Sequence, residues 1–198
     1  MKNIYCVMGR SAVGKDTLVA ALCEKYNLTR LVSYTTRPKR IGEADTHIFI
    51  SKEDFPKYQQ DIVAYTQIGE YEYFATRQQL DECDFYIIDP IGYNTLHNDP
   101  NLANSYRFIP IMCTLPEGAR GARSAQRRDD RAVFEARSAA EDAEFVAFDE
   151  EPIDGEDKWY VDTTDLDSAM DEVIKIIKQS EFTTRLLTNI GIRYHRGV

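Results

Sequence analysis

Long apolar runs are missing from this sequence. None approaches the roughly 20 consecutive residues of a membrane-spanning helix, so no membrane partner is expected. Histidine is scarce, at three residues, and the four cysteines (Cys6, Cys23, Cys83 and Cys113) stand far apart. That spacing matches neither the paired ligands of a zinc site nor a disulfide framework. Cys6 and Cys113 fall in apolar, strand-like runs, which predicts buried free thiols. Positive charge is also short, with 24 Lys and Arg against 33 Asp and Glu, a formal net charge of -9. Such a balance argues against a nucleic-acid-coating surface and makes any local basic cluster stand out. The chain opens directly on a strand pattern, with no charged and then apolar leader, so a cytoplasmic location is expected. Internal repeats and low-complexity tracts are lacking as well. What is present is enough for one ordinary domain of 198 residues, able to bury about 70% of its unfolded surface.

The most informative stretch is Gly9-Arg10-Ser11-Ala12-Val13-Gly14-Lys15-Asp16-Thr17. Ile4 to Met8 before it form a buried-strand pattern, and Leu18, Val19, Leu22 and Tyr26 after it recur at helical spacing. A glycine-rich turn between strand and helix reads as a phosphate-binding loop. Its backbone N–H groups and the helix N-terminus face an anion, and Lys15 supplies a point charge to the β- and γ-phosphates. The motif ordinarily ends in Ser or Thr, whose hydroxyl meets Mg²⁺; here Asp16 holds that place and Thr17 follows. A carboxylate is also a hard oxygen ligand, so a metal site with altered charge is expected.

Further along, Leu28 to Thr35 reads as a short strand. Arg37, Lys39 and Arg40 then cluster around Pro38 and Gly42, a basic turn suited to an anion. Phe85 to Asp89 reads as a buried strand ending in a carboxylate, placed to orient Mg²⁺ or its waters. Phe108 to Cys113 and Lys158 to Asp162 are two more strands, and Asp165 to Lys178 is a helix. Arg120, Arg123, Arg127 and Arg131 are spaced three, four and four residues apart, which on one helix makes a positive stripe. Glu141 to Asp157 is densely acidic and reads as a helix end and loop with solvated carboxylates.

Taken in order, these segments resemble the guanylate kinase family of P-loop nucleoside monophosphate kinases. The resemblance rests on the phosphate loop, Ser33 with Thr35-Thr36-Arg37, Arg40-Ile41-Gly42-Glu43, Tyr71 to Thr76, Ile87-Ile88-Asp89 and the arginine-rich segment ending at Arg137. It implies an α/β, three-layer P-loop kinase fold over residues 1–178, with a mostly parallel sheet. It further implies a small acceptor-binding insert at 33–82 and a helical lid at 116–145. Residues 179–198 form a tail without a family counterpart.

The resemblance also implies roles. ATP and Mg²⁺ are the expected cofactors, with Gly9 to Thr17 around the phosphates and Asp162 and Thr163 near the base. Asp16 and Asp89 are the expected metal contacts. Ser33, Arg37, Arg40, His47, Tyr73, Thr76 and Asp89 are expected around a phosphorylated small-molecule acceptor. Lys15, Arg37, Arg123, Arg127 and Arg137 are expected to neutralise charge during transfer. A monomer or homodimer is expected.

Three departures from the family pattern stand out, two of them, at His47 and Ala64, at the acceptor. His47 aligns with the family's phosphate-contacting tyrosine, and Ile87 replaces a frequent second acid. Ala64 falls where the family has the glutamate that reads guanine, with Glu70 or Glu72 as substitutes if the register shifts. GMP is the first expectation for the acceptor. A ribose bisphosphate phosphokinase-like enzyme, a kinase of another (deoxy)nucleotide and a protein-binding module that has lost catalysis are the alternatives.

Overall fold

The computed structural model describes residues 1–39, 47–127, 130–153 and 156–189. Strand β1 (Lys2–Met8) sets the layers. Ile4, Cys6 and Met8 enter one apolar cluster, while Tyr5 and Val7 enter another. A strand that is apolar at both phases of its period-two alternation is buried on both faces. β1 pairs in parallel with β6 (Phe85–Ile87) on one side and β7 (Tyr106–Thr114) on the other. β8 (Trp159–Asp162) completes the order β6-β1-β7-β8.

Helices α1 (Lys15–Tyr26) and α6 (Leu166–Asn189) cover one face with Leu18, Val19, Leu22, Met170, Val173 and Ile176. On the other face α3 (Pro90–His97) and α5 (Arg131–Glu150) contribute Tyr93, Leu96, Phe145 and Phe148. The chain thus adopts the expected three-layer α/β arrangement with a parallel sheet. Because the neighbours of β1 lie on opposite sides of it, a crevice opens beyond its carboxyl end, where open α/β sheets place ligands.

A second sheet lies in the segment read as the insert. β2 (Tyr34–Thr35), β3 (Ile48–Phe49), β4 (Ile62–Ile68) and β5 (Tyr71–Thr76) run in the order β3-β2-β5-β4. Aromatic stacking substitutes here for helical cover: Tyr34 lies 4.7 Å from Tyr58 and 5.1 Å from Phe74, and Phe55 meets Phe74 edge-on at 5.2 Å. α2 (Arg77–Glu82) follows, opened by a capping box between Thr76 and Gln79.

Three local expectations need correction. Leu28 to Thr35 is not one strand. Its first part adds a single bridge, Arg30 to Phe85, at the edge of the parallel sheet, and Tyr34–Thr35 joins the second sheet. A segment that leaves one sheet for another has no continuous partner along its length. The arginine stripe is likewise divided. α4 (Glu117–Gln126) is capped by Arg127, and Asp130 accepts from the Val133 amide at 3.0 Å to start α5, so Arg131 belongs to a different helix. The last helix does not stop at Lys178 but continues through Asn189, because its extension finds polar partners. Ser180 Oγ lies 3.0 Å from Tyr5 Oη, and Thr184 Oγ1 donates to Asn3 Oδ1 at 2.8 Å. Residues 190–198 of the tail lie outside the described residues.

All four cysteines are free, and Cys6, Cys83 and Cys113 are buried. Burial pushes the Cys83 and Cys113 thiols up to about 12, which keeps them protonated and unreactive. Among the described residues no helix is long and apolar enough to cross a membrane.

Candidate active site

The Gly9–Thr17 loop joins the carboxyl end of β1 to α1. Two glycines make its path possible. A Cβ on Gly9 would stand 2.8 Å from Val13 Cγ1 and 2.9 Å from the Cys113 carbonyl. Gly14, with φ of 104°, is the N-cap of α1 in a conformation that side-chain-bearing residues rarely adopt. Ala12 is also left-handed, at φ 63°, which costs on the order of 1–2 kcal/mol.

Neighbouring elements hold this strained loop by its carbonyl groups. Arg120 donates to the Ser11 carbonyl at 3.1 Å, Arg123 to Val13 at 2.8 Å, and Thr163 Oγ1 to Val13 at 2.5 Å. Arg123 also donates to the Thr163 carbonyl at 2.7 Å. Arg123 therefore braces the loop and, with Gly14, Thr17, Arg127, Thr163 and Leu166, lines a cavity at its flank. Asp162, exposed beside it, accepts from Thr164 N and Oγ1, which hold its carboxyl below the ordinary range.

Two cavities meet at Lys15. One, of about 300 Å³, is lined by Ser11, Ala12, Gly14, Lys15, Asp16 and Thr17, with Arg127, Asp130 and Arg137 opposite. The other, of about 310 Å³, is lined by Gly9, Lys15, Ser33, Ala64, Thr66, Tyr73, Asp89 and Thr95 above a floor of Tyr86, Ile88 and Phe145. Ser33, Tyr73 and Asp89 are thus brought together with Lys15. A polar chain continues from there: Ser33 Oγ lies 3.0 Å from His47 Nδ1, His47 meets Tyr73 edge-on at 5.5 Å, and Arg37 Nε donates to Tyr73 Oη at 3.2 Å. Thr76 is not in this group. Its side chain is buried and accepts from Gln79 N as the cap of α2. Arg40 lies outside the described residues.

Asp89 is the N-cap of α3 rather than the last residue of a strand, and its Oδ1 accepts from Gly92 N at 2.6 Å. Ala64 lines the second cavity, and neither Glu70 nor Glu72 does. Glu70 pairs with Lys52 at 2.7 Å, and Glu72 accepts from Tyr65 Oη. Asp16 is exposed in the first turn of α1 and, like Asp89, offers hard oxygen to a divalent cation. Among the described residues no group of three His, Cys, Asp or Glu forms a metal cage. The donor set fits a Mg²⁺ ion that takes its remaining ligands from phosphate oxygens and water.

The acidic stretch after Arg137 holds the residues that the sequence reading missed. Its carboxylates are not all solvated. Glu141 accepts from Ser11 N at 2.7 Å and Ser11 Oγ at 2.6 Å, and Asp142 pairs with Arg10 at 2.9 Å. Glu144 accepts from Ile91 N at 3.3 Å, and Glu156 forms a buried pair with Arg107 at 2.5 Å. A helical phase was the available signal: Ser138, Glu141, Asp142 and Phe145 recur at i, i+3, i+4 and i+7, one face of α5. Arg120, only 9% exposed, was recognised in the stripe but not as a support of the loop.

No protein-family model matches the chain. Guanylate kinase of Neisseria gonorrhoeae is 46% identical over 56 residues, and that of Symbiobacterium thermophilum 52% identical over 57. Each alignment covers 27% of this chain, and the chain spans only 27% of the length of these relatives. The guanylate kinase of Hydrogenovibrio crunogenus is 32% identical over 85 residues, 40% of this chain and 41% of that one. In three dimensions, the crystal structure of guanylate kinase from Anaplasma phagocytophilum superposes with a TM-score of 0.60 over 90% of this chain and 86% of that one, at 18% identity. A similarity at that identity speaks for the fold, and the sequence matches extend the likeness over part of the chain. Together they make the chain similar to guanylate kinases, in fold over most of its length and in sequence over part of it.

Proposed function

We propose that this chain is an ATP-dependent nucleotide kinase, transferring the γ-phosphoryl group to a nucleoside monophosphate or a similar small phosphorylated acceptor. The observation that carries the reading is the position of Lys15, which lines both the loop cavity and the cavity of Ser33, Tyr73 and Asp89. A lysine shared by two adjoining cavities stands where a donor phosphate and an acceptor phosphate would meet. In the proposed reaction an acceptor phosphate oxygen forms a bond to the γ-phosphorus while the bond to the β,γ-bridging oxygen breaks, releasing ADP. Positioning and charge neutralisation suffice, without a covalent enzyme intermediate.

Gly9 to Thr17 hold the triphosphate in this reading, with Asp162 and Thr163 beside the base. Arg127 and Arg137 face it from the lid, and Arg123 contributes by fixing the loop. Arg37, His47 and Tyr73, with Arg40, take the acceptor phosphate, and Ser33 meets the rest of the acceptor. Asp16 and Asp89 would hold Mg²⁺, which would neutralise phosphate charge when bound.

GMP is the first acceptor to test. The apolar wall at Ala64, with Glu70 and Glu72 engaged elsewhere, also favours a second reading, in which the acceptor is a phosphorylated sugar or another nucleotide. Coupled ADP release measured across nucleoside monophosphates and phosphorylated pentoses distinguishes the two. Calorimetry with Mg-ATP tests the class as a whole, since a chain without measurable affinity is a binding module rather than a kinase.

A further inference from the structure

The phosphate loop of this chain already carries an anion. Both oxygens of the Glu141 carboxylate are used on Ser11, one by its amide at 2.7 Å and the other by its hydroxyl at 2.6 Å. Ser11 lines the loop cavity, and the Glu141 contact crosses 130 residues of sequence from the lid helix. Its neighbours on the same face of α5 reinforce it. Asp142 takes the Arg10 guanidinium at 2.9 Å, that guanidinium lies 5.2 Å from the Phe145 ring, and Ser138 accepts from Arg120 at 3.0 Å. Arg120 in turn holds the carbonyl of Ser11. About two turns of α5 are therefore seated on the loop, through both of the charges they offer there.

A loop whose amides suit phosphate oxygens suits a carboxylate for the same electrostatic reason. The two cannot share the Ser11 amide, and a triphosphate beside Glu141 meets like charge. We propose that Glu141 is an internal competitor for the phosphate loop, which holds the lid helix in a self-liganded resting state until a nucleoside triphosphate displaces it.

Helical geometry gives the displacement a consequence. Arg137 lies four residues before Glu141 and so on the same side of α5, and it lines the loop cavity. A movement of α5 that withdraws the carboxylate also changes where this guanidinium stands. The lid then presents a negative group to the free loop and a positive one to the occupied loop. Apparent affinity for triphosphate is lowered by the fraction of molecules in the resting state, and losing the competitor restores it.

The inference rests on the phosphate-loop reading, and the test separates the two. Mg-ATP and inorganic tripolyphosphate are titrated by calorimetry into the full chain, Glu141→Gln, Glu141→Ala and Lys15→Met, each checked for an unchanged circular dichroism spectrum. Both Glu141 variants are expected to bind about tenfold tighter than the unaltered chain, the scale of one charged hydrogen-bonded contact removed from the competing state. Amide exchange at Ser11 in the ligand-free protein is expected to quicken in Glu141→Ala, a readout that needs no nucleotide. If the unaltered chain binds, Lys15→Met does not, and the Glu141 variants show no gain, the competitor is overturned while the loop reading stands. An unchanged Ser11 exchange rate also overturns it. Absence of binding by every protein overturns the loop reading and the competitor with it.

Discussion

The two halves of the candidate site are built by different means. Around Gly9–Thr17 the backbone is over-determined: Arg120, Arg123 and Thr163, from two separate parts of the chain, hold the carbonyls of Ser11 and Val13. Around Ser33, Tyr73 and Ala64 the framework is a small sheet under stacked aromatic rings, and side chains rather than backbone face the cavity. A polyanion is recognised largely by backbone geometry, which tolerates little change. An acceptor is recognised by a few side chains on a stable platform, and these can change without disturbing the loop. The departures from the family pattern at His47 and Ala64 fall in the second half, while Asp16 touches the first at an exposed position.

The largest expected effect strikes the boundary between the halves. Lys15→Met should lower turnover by about a thousandfold or more while leaving the melting temperature nearly unchanged, since it removes a charge without removing a backbone contact. Near-normal kcat in this variant would falsify the phosphate-loop assignment. Next comes Arg137→Ala, expected to reduce kcat by roughly tenfold to a thousandfold, the scale of one lost transition-state contact. A change confined to acceptor KM would instead place this arginine with the acceptor.

The acceptor half should respond more mildly and in specificity. The unaltered chain is expected to prefer GMP over the next-best nucleotide by less than about a hundredfold, and Ala64→Glu to raise that ratio by about tenfold. Competition kinetics with paired nucleotides measures both, and a ratio unmoved by the substitution would show that Ala64 does not face the base. Smaller again is the effect of Asp16→Ser. Because Asp16 adds negative charge beside the triphosphate, ATP affinity should depend on Mg²⁺ more steeply in the unaltered chain by a few-fold. Titrations at several Mg²⁺ concentrations check this, and equal slopes would remove Asp16 from the metal site.

The smallest effect is on stability. Burial, with Asp89 and Glu141 nearby, raises the pKa of Glu144 from its ordinary 4.5 despite the amide of Ile91. The native state therefore keeps the proton over a window in which the unfolded chain has lost it, and stability falls as pH rises through that window. Urea melts from pH 4 upward should show Glu144→Gln losing less stability over this range than the unaltered chain. Parallel profiles would show that Glu144 is solvated.

Much of the first half was legible in the sequence. A glycine motif between an apolar run and a helical period fits the turn from the carboxyl end of a strand into a helix, and the double-phase burial of Ile4 to Met8 announces helices on both faces. The second half was less so. Two-residue strands such as Tyr34–Thr35 leave no periodicity to read, and a hydrogen-bonded cap such as Thr76 looks the same in sequence as a ligand contact. Acidic residues were misread for a related reason. Helical phase puts Glu141 on one face with Phe145 but names no partner for it, and it is the partners that the fold brings across more than 40 residues, Ser11 and Arg107, that distinguish Glu141 and Glu156 from exposed neighbours.

The long last helix bears on how the molecule comes to be folded. Tyr5 meets Ser180 and Asn3 meets Thr184, so the first strand and the last helix share hydrogen bonds across 175 and 181 residues. Arg107, in β7, donates to Ser180 and Thr184 as well as to Glu156. A chain emerging from the ribosome amino end first therefore makes its central strand early but lacks part of its cover until Ser180 and Thr184 have been synthesised. Contacts of such sequence separation are slow to close, and until they do the apolar side of β1 and β7 that faces α6 stays exposed to association with other chains. Cutting the chain before Ser180 would make that transient condition permanent.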